Sequence, residues 1–126
     1  MKTFSLLVLL FVATIANARD YPATVVAVYD GDTITVDIGL GLGVFLKGQR
    51  IRLNRIDTPE MRGPDKARGK VSRDYLRSRI LGKSVTIQTD KDKTGKFGRL
   101  LGEVILDGVN LNDELVRKGL GVYRTY

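Results

Sequence analysis

The sequence contains no histidine and no cysteine. These absences exclude a serine–histidine triad, a thiol nucleophile and the usual zinc sites. They also exclude a disulfide and a lipid attached through an N-terminal cysteine. Carboxylates, arginines and a bound metal ion remain as the groups with which this chain can carry out chemistry.

Length and charge narrow the class of protein further. The 126 residues, 43% of them hydrophobic, are enough for one compact domain with a single core. The net charge is +7, and such a basic surface attracts polyanions such as nucleic acid, although many basic exported proteins bind none. One domain must therefore carry both binding and chemistry.

The N-terminal segment differs in composition from the rest of the chain. Lys2 supplies a positive charge, an apolar run extends from Phe4 to Ile15, and small residues follow at positions 16–18. We interpret residues 1–18 as a secretory signal peptide, with residues 19–126 as the mature domain, which predicts a secreted or periplasmic protein. A retained membrane anchor is the alternative, but the run is shorter than the roughly 20 apolar residues that span a bilayer.

Short segments rich in branched residues, separated by turns, predict five strands and therefore a small barrel. Asp30 and Gly31 are typical of a hairpin turn between the first two strands. Four glycines between residues 39 and 48 are not followed by a helix, so we interpret this segment as a flexible hairpin loop rather than a phosphate cradle. The five predicted strands are Thr24–Tyr29, Thr33–Ile38, Gln49–Ile56, Ser84–Thr89 and Leu100–Leu106.

Two helices complete the pattern. The first is predicted to begin near Gly63 and Pro64 and to end at Gly82, and the second to run from Asn112 to Gly119. Inward-facing residues of the second helix are predicted to be Leu115 and Val116. The apolar stripe predicted for the first helix consists of Ala67, Val71, Tyr75, Leu76 and Ile80.

The third predicted strand changes the parity of its apolar residues. Ile51 and Leu53 share one parity and Ile56 has the other, which a bulge near residues 54–55 would explain. Such a bulge would bring Arg52 and Asp57 onto the same face, opposite the core.

Carboxylates occur in two groups, Asp30 with Asp32 at the first hairpin and Asp57 with Glu60 around the Thr58–Pro59 turn. If the barrel brings these groups together, their mutual repulsion favours a bound cation. Oxygen ligands favour calcium, magnesium or manganese over zinc or copper.

A second arginine lies in a glycine-flanked turn that enters the last strand. This residue is Arg99, within the segment Thr94–Leu101. It can belong to a basic surface turn. Beside a carboxylate and metal site, however, the planar guanidinium groups of Arg52 and Arg99 would bind a phosphate from both sides through bidentate hydrogen bonds. They would also stabilise the charge that develops on it.

These motifs, taken in order, resemble the thermonuclease family, that is, staphylococcal nuclease and its homologues. The resemblance covers nearly the whole predicted mature chain, and several separated motifs in one order are far more specific than any one of them. The motifs that carry it are Asp30-Gly31-Asp32-Thr33, Arg52, Asp57-Thr58-Pro59-Glu60, Lys96-Phe97-Gly98-Arg99 and Leu115-Val116-Arg117-Lys118-Gly119-Leu120.

The resemblance implies an α+β fold, a five-stranded OB-fold β-barrel with two helices. It also implies a calcium-dependent endonuclease in which water attacks the phosphorus of DNA or RNA. By motif, Asp32, Asp57 and the backbone carbonyl of Thr58 resemble the calcium ligands, with Asp30 in an outer shell. The residues that resemble the catalytic set are Glu60, as general base or water-orienting carboxylate, and the arginines Arg52 and Arg99.

Contacts to nucleotides are predicted with less support from the motifs. The candidates are Lys96, Phe97, Tyr123 and Tyr126. The three aromatic rings can stack on bases of a preferentially single-stranded substrate, and packing against the barrel is the alternative for each of them. Phe97 stands where the staphylococcal enzyme has a tyrosine, so a hydroxyl contact to phosphate is lost. The resemblance further implies a monomer without an obligate protein partner and little base specificity, because the contacts are to the backbone.

The main rival function is a non-catalytic OB-fold module that binds single-stranded nucleic acid through a basic groove. A calcium-binding structural protein is a third possibility, but it would not require two arginines at these places. Together, the residues Asp32, Arg52, Asp57, Glu60 and Arg99 favour the enzyme.

Overall fold

The computed structural model describes residues 20–94 and 99–125. The predicted signal peptide, residues 1–18, lies outside the described residues. Among those that are described, no helix is long and apolar enough to cross a bilayer. The strands are β1 (Asp20–Asp30), β2 (Thr33–Gly41), β3 (Val44–Leu53), β4 (Ile56–Asp57), β5 (Ser84–Thr94), β6 (Leu100–Leu106), β7 (Val109–Asn110) and β8 (Val122–Tyr123), and the helices are α1 (Lys66–Ile80) and α2 (Leu111–Arg117).

Five of these strands close into a barrel. β3, β2, β1, β5 and β6 pair in that order as antiparallel neighbours. The parallel pairing of residues 51–53 of β3 with residues 100–102 of β6 then joins the two edges. β7 pairs antiparallel with the end of β6, and β4 pairs with β8 in a separate two-stranded ribbon. The predicted α+β barrel with five strands and two helices is therefore confirmed.

The core fills the barrel with the inward-facing residues of its strands. In β2 these are Ile34, Val36 and Ile38, which alternate with more exposed residues, as expected of a strand that is buried on one face. Helix α1 covers this core through Leu76 and Ile80, both fully buried. The remaining large buried residues include Val25, Ile51, Leu53, Ile56, Ile87, Val104, Leu111 and Leu115.

The stripe predicted for α1 is wrong in part. Ala67 and Val71 are exposed, and the buried face consists of Gly69, Ser72, Leu76 and Ile80. At 3.6 residues per turn, positions 67 and 71 lie on the opposite side of the helix from this face. Sequence polarity is misleading here, because a glycine and a serine permit a closer approach than larger apolar residues would.

The second helix begins one residue earlier than predicted. The side chain of Asn110 accepts a hydrogen bond of 3.1 Å from the backbone nitrogen of Asp113 and caps the helix. Asn112 is instead buried, accepting from the nitrogen of Val104 at 3.1 Å and donating to the carbonyl of Asn54 at 2.9 Å. It therefore ties α2 to the end of β3.

The glycine-rich segment is not the loop that the sequence predicts. β2 continues to Gly41 and β3 begins at Val44, so that only Leu42 and Gly43 form the turn. The glycine-rich pattern predicts an interruption of both strands, but Gly39 pairs with Phe45 within the hairpin. We call residues 40–46 the hairpin tip. Its apolar side chains are exposed, and Leu42 is fully so.

Candidate active site

A cleft of about 400 Å³ opens where the β1–β2 turn, the end of β3, β4 and the start of β6 meet. It contains every residue that the resemblance assigns to catalysis or metal binding. Two half-buried or exposed residues of the following segment, Met61 and Arg62, complete one wall. The full lining is Tyr29, Asp30, Asp32, Arg52, Asp57, Thr58, Pro59, Glu60, Met61, Arg62 and Arg99.

Arg52 forms the floor of this cleft. Its Nη1 lies 3.1 Å from Asp32 Oδ2, and its Nη2 donates to Asp57 Oδ1 at 3.3 Å. Arg52 and Asp57 therefore meet as the sequence predicts. The device is a turn at residues 54–55 rather than a bulge, because β3 ends at Leu53 and Arg55 adopts a left-handed backbone with φ 69°.

The guanidinium of Arg52 is held by the backbone as well as by carboxylates. Nη1 also donates to the carbonyls of Leu53 and Ile56, each at 3.3 Å. Only 8% of Arg52 is exposed, so it is buried rather than turned away from the core as predicted. A planar cation with this many acceptors has one orientation, which aims it at the cleft.

Asp32 joins the first hairpin to the Thr58 turn. Its Oδ2 accepts hydrogen bonds of 3.0 Å from both the backbone nitrogen and the Oγ1 of Thr58. Gly31 makes this approach possible, since a Cβ there would lie 2.7 Å from Thr58 Oγ1 and 2.8 Å from Ser72 Cβ. The Asp-Gly-Asp sequence is therefore required by packing as well as by chemistry.

Asp30 stands behind Asp32 and accepts a hydrogen bond of 3.0 Å from its backbone nitrogen. Burial, and then the charge of Asp32, raise the pKa of Asp30 to about 6. The larger cause is the removal of this carboxyl from water, and the repulsion by Asp32 adds to it. A cation bound in the cleft would offset the repulsion between the two carboxylates.

Asp57 is held from both sides by arginines. Arg52 contacts Oδ1, and Nη1 of Arg124 donates to Oδ2 at 2.9 Å. The β4–β8 ribbon brings Arg124 there, and its backbone nitrogen donates to the carbonyl of Arg55 at 2.7 Å. The sequence contains no signal for Arg124, because pairing between two-residue strands is not visible in a periodic pattern.

Arg99 is the second arginine that lines the cleft. It precedes β6, and its Nη1 donates to Thr33 Oγ1 at 3.1 Å. Because β6 pairs in parallel with β3, the segments that carry Arg52 and Arg99 lie side by side. The two arginines of the sequence prediction therefore share one cleft.

Glu60 lies exposed on the segment after β4, with its backbone against helix α1. Gly69 of α1 faces this segment, and a Cβ at residue 69 would lie 2.9 Å from the carbonyl oxygen of Pro59 and closer still to that of Glu60. The absence of a side chain at Gly69 thus allows the backbone of Glu60 to pack directly against α1, which fixes the position of Glu60 beside the cleft.

The cleft presents carboxylate oxygens, the ligand type that hard cations prefer. The carboxylates of Asp32 and Asp57 lie within 3.3 Å of a single guanidinium, so a positive charge already bridges them. Within residues 20–94 and 99–125, no three histidine, cysteine, aspartate or glutamate side chains form a metal-binding cluster by themselves. A calcium ion would therefore also require the Thr58 carbonyl, water and substrate oxygens as ligands.

The predicted nucleotide contacts are less well placed. Lys96, Phe97 and Tyr126 lie outside the described residues. Tyr123 is exposed on β8 and is not among the residues lining the cleft, and its hydroxyl donates to Asp113 Oδ1 at 2.9 Å. Tyr29 does line the cleft, and its position next to Asp30 is the signal that sequence reasoning passed over.

A closed OB-fold barrel with clustered carboxylates and two arginines in one cleft defines a small barrel protein suited to binding a cation and an anion side by side. The chain belongs to the family of staphylococcal nuclease homologues, whose sequence profile matches residues 50–126.

Individual relatives agree with this assignment. The chain is 31% identical over 117 residues to a thermonuclease of Staphylococcus hyicus, which covers 90% of this chain and 66% of the relative. It is 37% identical over 131 residues to an uncharacterized endonuclease of Escherichia coli O157:H7, covering 100% of this chain and 76% of the relative. An uncharacterized protein of Bacillus anthracis is 35% identical over 104 residues, and the match covers 78% of this chain but 45% of that protein.

Proposed function

We propose that this protein is an exported, calcium-dependent nuclease that hydrolyses the phosphodiester backbone of DNA and RNA with low base specificity. The observation that carries the proposal is the convergence of Arg52 and Arg99 on the same cleft as Asp32, Asp57 and Glu60. Membership in the staphylococcal nuclease homologue family supports it, as does similarity to a thermonuclease and to an uncharacterized endonuclease.

In this proposal the calcium ligands are Asp32, Asp57 and the carbonyl of Thr58, with Asp30 behind them. The ion, when bound, neutralises charge on the carboxylates and on the substrate phosphate. Hydrogen bonds from Thr58 to Asp32 Oδ2 hold that carboxylate in one orientation. Arg124 does the same for Asp57.

Arg52 must exchange partners for the reaction. Both of its Nη atoms are now near carboxylates, so contact with a phosphate requires that at least one of these ion pairs opens. Its hydrogen bonds to the carbonyls of Leu53 and Ile56 can remain and keep the guanidinium in place. These backbone contacts limit the reorganisation to the exchange of a carboxylate for the phosphate.

Glu60 and Arg99 act from the walls of the cleft. Glu60 is exposed, so its carboxylate can accept a proton from water or orient that water toward phosphorus. Arg99 donates a hydrogen bond to Thr33, and its guanidinium presents a planar set of donors that matches the equatorial oxygens of the phosphate. Together with Arg52 it balances the negative charge that develops on the pentacoordinate phosphorus.

The decisive experiment is digestion of a labelled single-stranded oligonucleotide by the purified protein, with calcium or with excess chelator. Glu60→Gln is compared with Asp74→Asn, the same carboxylate-to-amide change at an exposed residue on α1 outside the cleft. We expect calcium-dependent cleavage that Glu60→Gln abolishes and Asp74→Asn retains. Binding without cleavage in calcium, magnesium and manganese would establish the non-catalytic OB-fold binder instead.

Metal binding is tested separately by calorimetric titration of calcium into the protein without substrate. Asp32→Asn is expected to weaken binding at least tenfold, whereas Asp74→Asn leaves it unchanged. An unaltered titration for Asp32→Asn would remove Asp32 from the ligand set.

Export is proposed from residues 1–18 alone. Expression of the full chain in a bacterial host, followed by N-terminal sequencing of protein from the periplasm and the medium, tests it. A start near Arg19 is the expected result. An uncleaved chain that stays with the cells would contradict it.

A further inference from the structure

We propose that Tyr29 and Arg50 form a nucleotide subsite beside the cleft, in which a base stacks on Tyr29 and Arg50 contacts the adjoining phosphate. The inference rests on the proposed function and deepens it by naming the residues that would hold an unstacked base and its adjoining phosphate.

Tyr29 presents a large ring at the mouth of the cleft. It precedes Asp30, the last residue of β1, lines the cleft, and is 65% exposed. An aromatic ring that contributes so little to the core has most of its surface accessible to a ligand, beside the guanidinium that lies over it. Stacking of a base on such a ring contributes about 1 to 3 kcal/mol and tolerates any base.

Arg50 lies over this ring, with its Cζ 5.9 Å from the ring centroid. It is exposed and, in the described part of the chain, forms no ion pair with a carboxylate. This contrasts with Arg52, which two aspartates hold. The guanidinium of Arg50 thus combines a position beside an aromatic ring with donors that suit a phosphate.

The spacing of the two arginines fits neighbouring phosphates. Arg50 and Arg52 are two residues apart in β3, where they pair with Thr35 and Thr33 of β2. Residues two apart in a strand share a face and lie about 7 Å apart. Neighbouring phosphates of an extended single strand have a comparable separation, so Arg50 can hold the phosphate next to the one at Arg52.

The chemistry also selects the form of the nucleic acid. A base can reach Tyr29 only when it is unstacked from its neighbours, which costs far less in a single strand than in a duplex. Neither the ring nor the guanidinium reads base edges, so the subsite adds affinity without base specificity. Flexible single strands of DNA and RNA are therefore the favoured ligands.

The test is binding of a fluorescein-labelled thymidine octanucleotide, measured by anisotropy in calcium with Glu60→Gln protein to prevent cleavage. Tyr29→Ala in this background is expected to weaken binding about 5- to 100-fold, and Tyr29→Phe to leave it near the parent value. An octanucleotide of abasic sugars provides the sharper comparison. It lacks bases, so Tyr29→Ala should bind it as well as the parent protein does.

Arg50→Ala is expected to weaken binding of both oligonucleotides and to reduce the slope of log K against log salt by about one. Matched controls come from the same strand outside the cleft, Phe45→Ala for the ring and Lys47→Ala for the charge. Both controls should leave the salt slope and the preference for bases unchanged. Circular dichroism of each variant confirms folding.

Two results overturn the subsite: parent-like binding of the thymidine octanucleotide by Tyr29→Ala, or an equal loss for the abasic one. Cleavage by the protein with Glu60 intact is measured on the same thymidine octanucleotide. Binding that depends on Tyr29 without cleavage would refute the nuclease and retain the subsite. Cleavage that is independent of Tyr29 would do the reverse.

Discussion

Arg52 and Asp57 lie on either side of a two-residue turn, and their side chains meet in an ion pair of 3.3 Å. The left-handed backbone of Arg55 makes this possible, because it reverses the chain while Leu53 and Ile56 both remain in the core. One local feature thus joins a buried cation of the barrel to the carboxylate-bearing segment after it. Arg52 therefore belongs both to the fold and to the candidate site.

The first prediction is that Arg52 and Arg99 differ in how much each contributes to the free energy of unfolding. We expect Arg52→Ala to abolish cleavage and to lower the free energy of unfolding by about 3 kcal/mol, because it leaves the buried carboxylate of Asp32 without its cation. Arg99→Ala should also abolish cleavage, but it should lower the free energy of unfolding by about 1 kcal/mol or less, because Arg99 is half-buried and donates to a hydroxyl. Urea denaturation measures both, and equal stabilities for the two variants would contradict the prediction.

The second prediction concerns Gly69. Alanine normally stabilises a helix relative to glycine by about 1 kcal/mol, but here its Cβ would press on the backbone of Glu60. We expect Gly69→Ala to keep its helix content by far-ultraviolet circular dichroism while activity falls about 100-fold, because Glu60 is displaced. Lys70→Ala, at the exposed neighbouring position, is the control. Full activity in Gly69→Ala would show that the segment can shift without harm.

The third prediction is a pH dependence of stability. Glu114 is buried, and hydrogen bonds from Arg79 and then from Tyr75 lower its pKa from 4.5 to about 2, against the opposing effect of burial. Because the pKa is lower in the folded state, this interaction stabilises the protein fully above pH 4.5, and the stabilisation is lost as the pH falls toward 2.

Glu114→Gln should therefore reduce the free energy of unfolding by about 2 kcal/mol at pH 7, with the difference from wild type shrinking below pH 4.5. Thermal denaturation at several pH values measures this. Asp74→Asn, an exposed carboxylate, should follow the wild-type curve. A constant difference across the acid range would refute the assignment.

The fourth prediction concerns the turn of the hairpin tip. Leu42 is fully exposed and adopts a left-handed backbone with φ 57°, which disfavours a side chain with a Cβ. We expect Leu42→Gly to raise the melting temperature by about 4 °C, equivalent to about 1 kcal/mol. Leu40→Gly, within strand β2, should instead lower it, and an unchanged melting temperature for Leu42→Gly would show that the turn is not strained.

Much of the fold was predictable because turn residues separate its strands. The first hairpin turns at residues 31–32, one residue beyond the predicted Asp30–Gly31 pair, and the branched run from Thr33 to Ile38 lies within β2 as predicted. What the pattern missed was decided by space rather than polarity. Gly69 and Ser72 are buried because the Glu60 segment and the carbonyl of Leu120 come close to α1.

The candidate site was predictable in composition but not in partners. The parity change after Leu53 correctly indicated that Arg52 meets Asp57. The ion pair of Asp57 with Arg124 depends on pairing with a two-residue strand, which has no periodic signature. The environment of Tyr29 was likewise hidden, because its contact with Arg50 arises across strands that are not neighbours in the sequence.

The parallel pairing of β3 with β6 has a consequence for the order in which the protein acquires activity during refolding. Arg52 and Arg99 lie on or next to the two strands that this pairing joins, and the two residues are far apart along the chain. Joining them requires a long loop to be ordered before the new contacts repay that cost, which makes such contacts slow to form. Helix α1 and the β1–β2 hairpin are local structures and need no such step. We therefore expect recovery of nuclease activity after dilution from denaturant to follow the recovery of helical signal and to report on the rate of barrel closure.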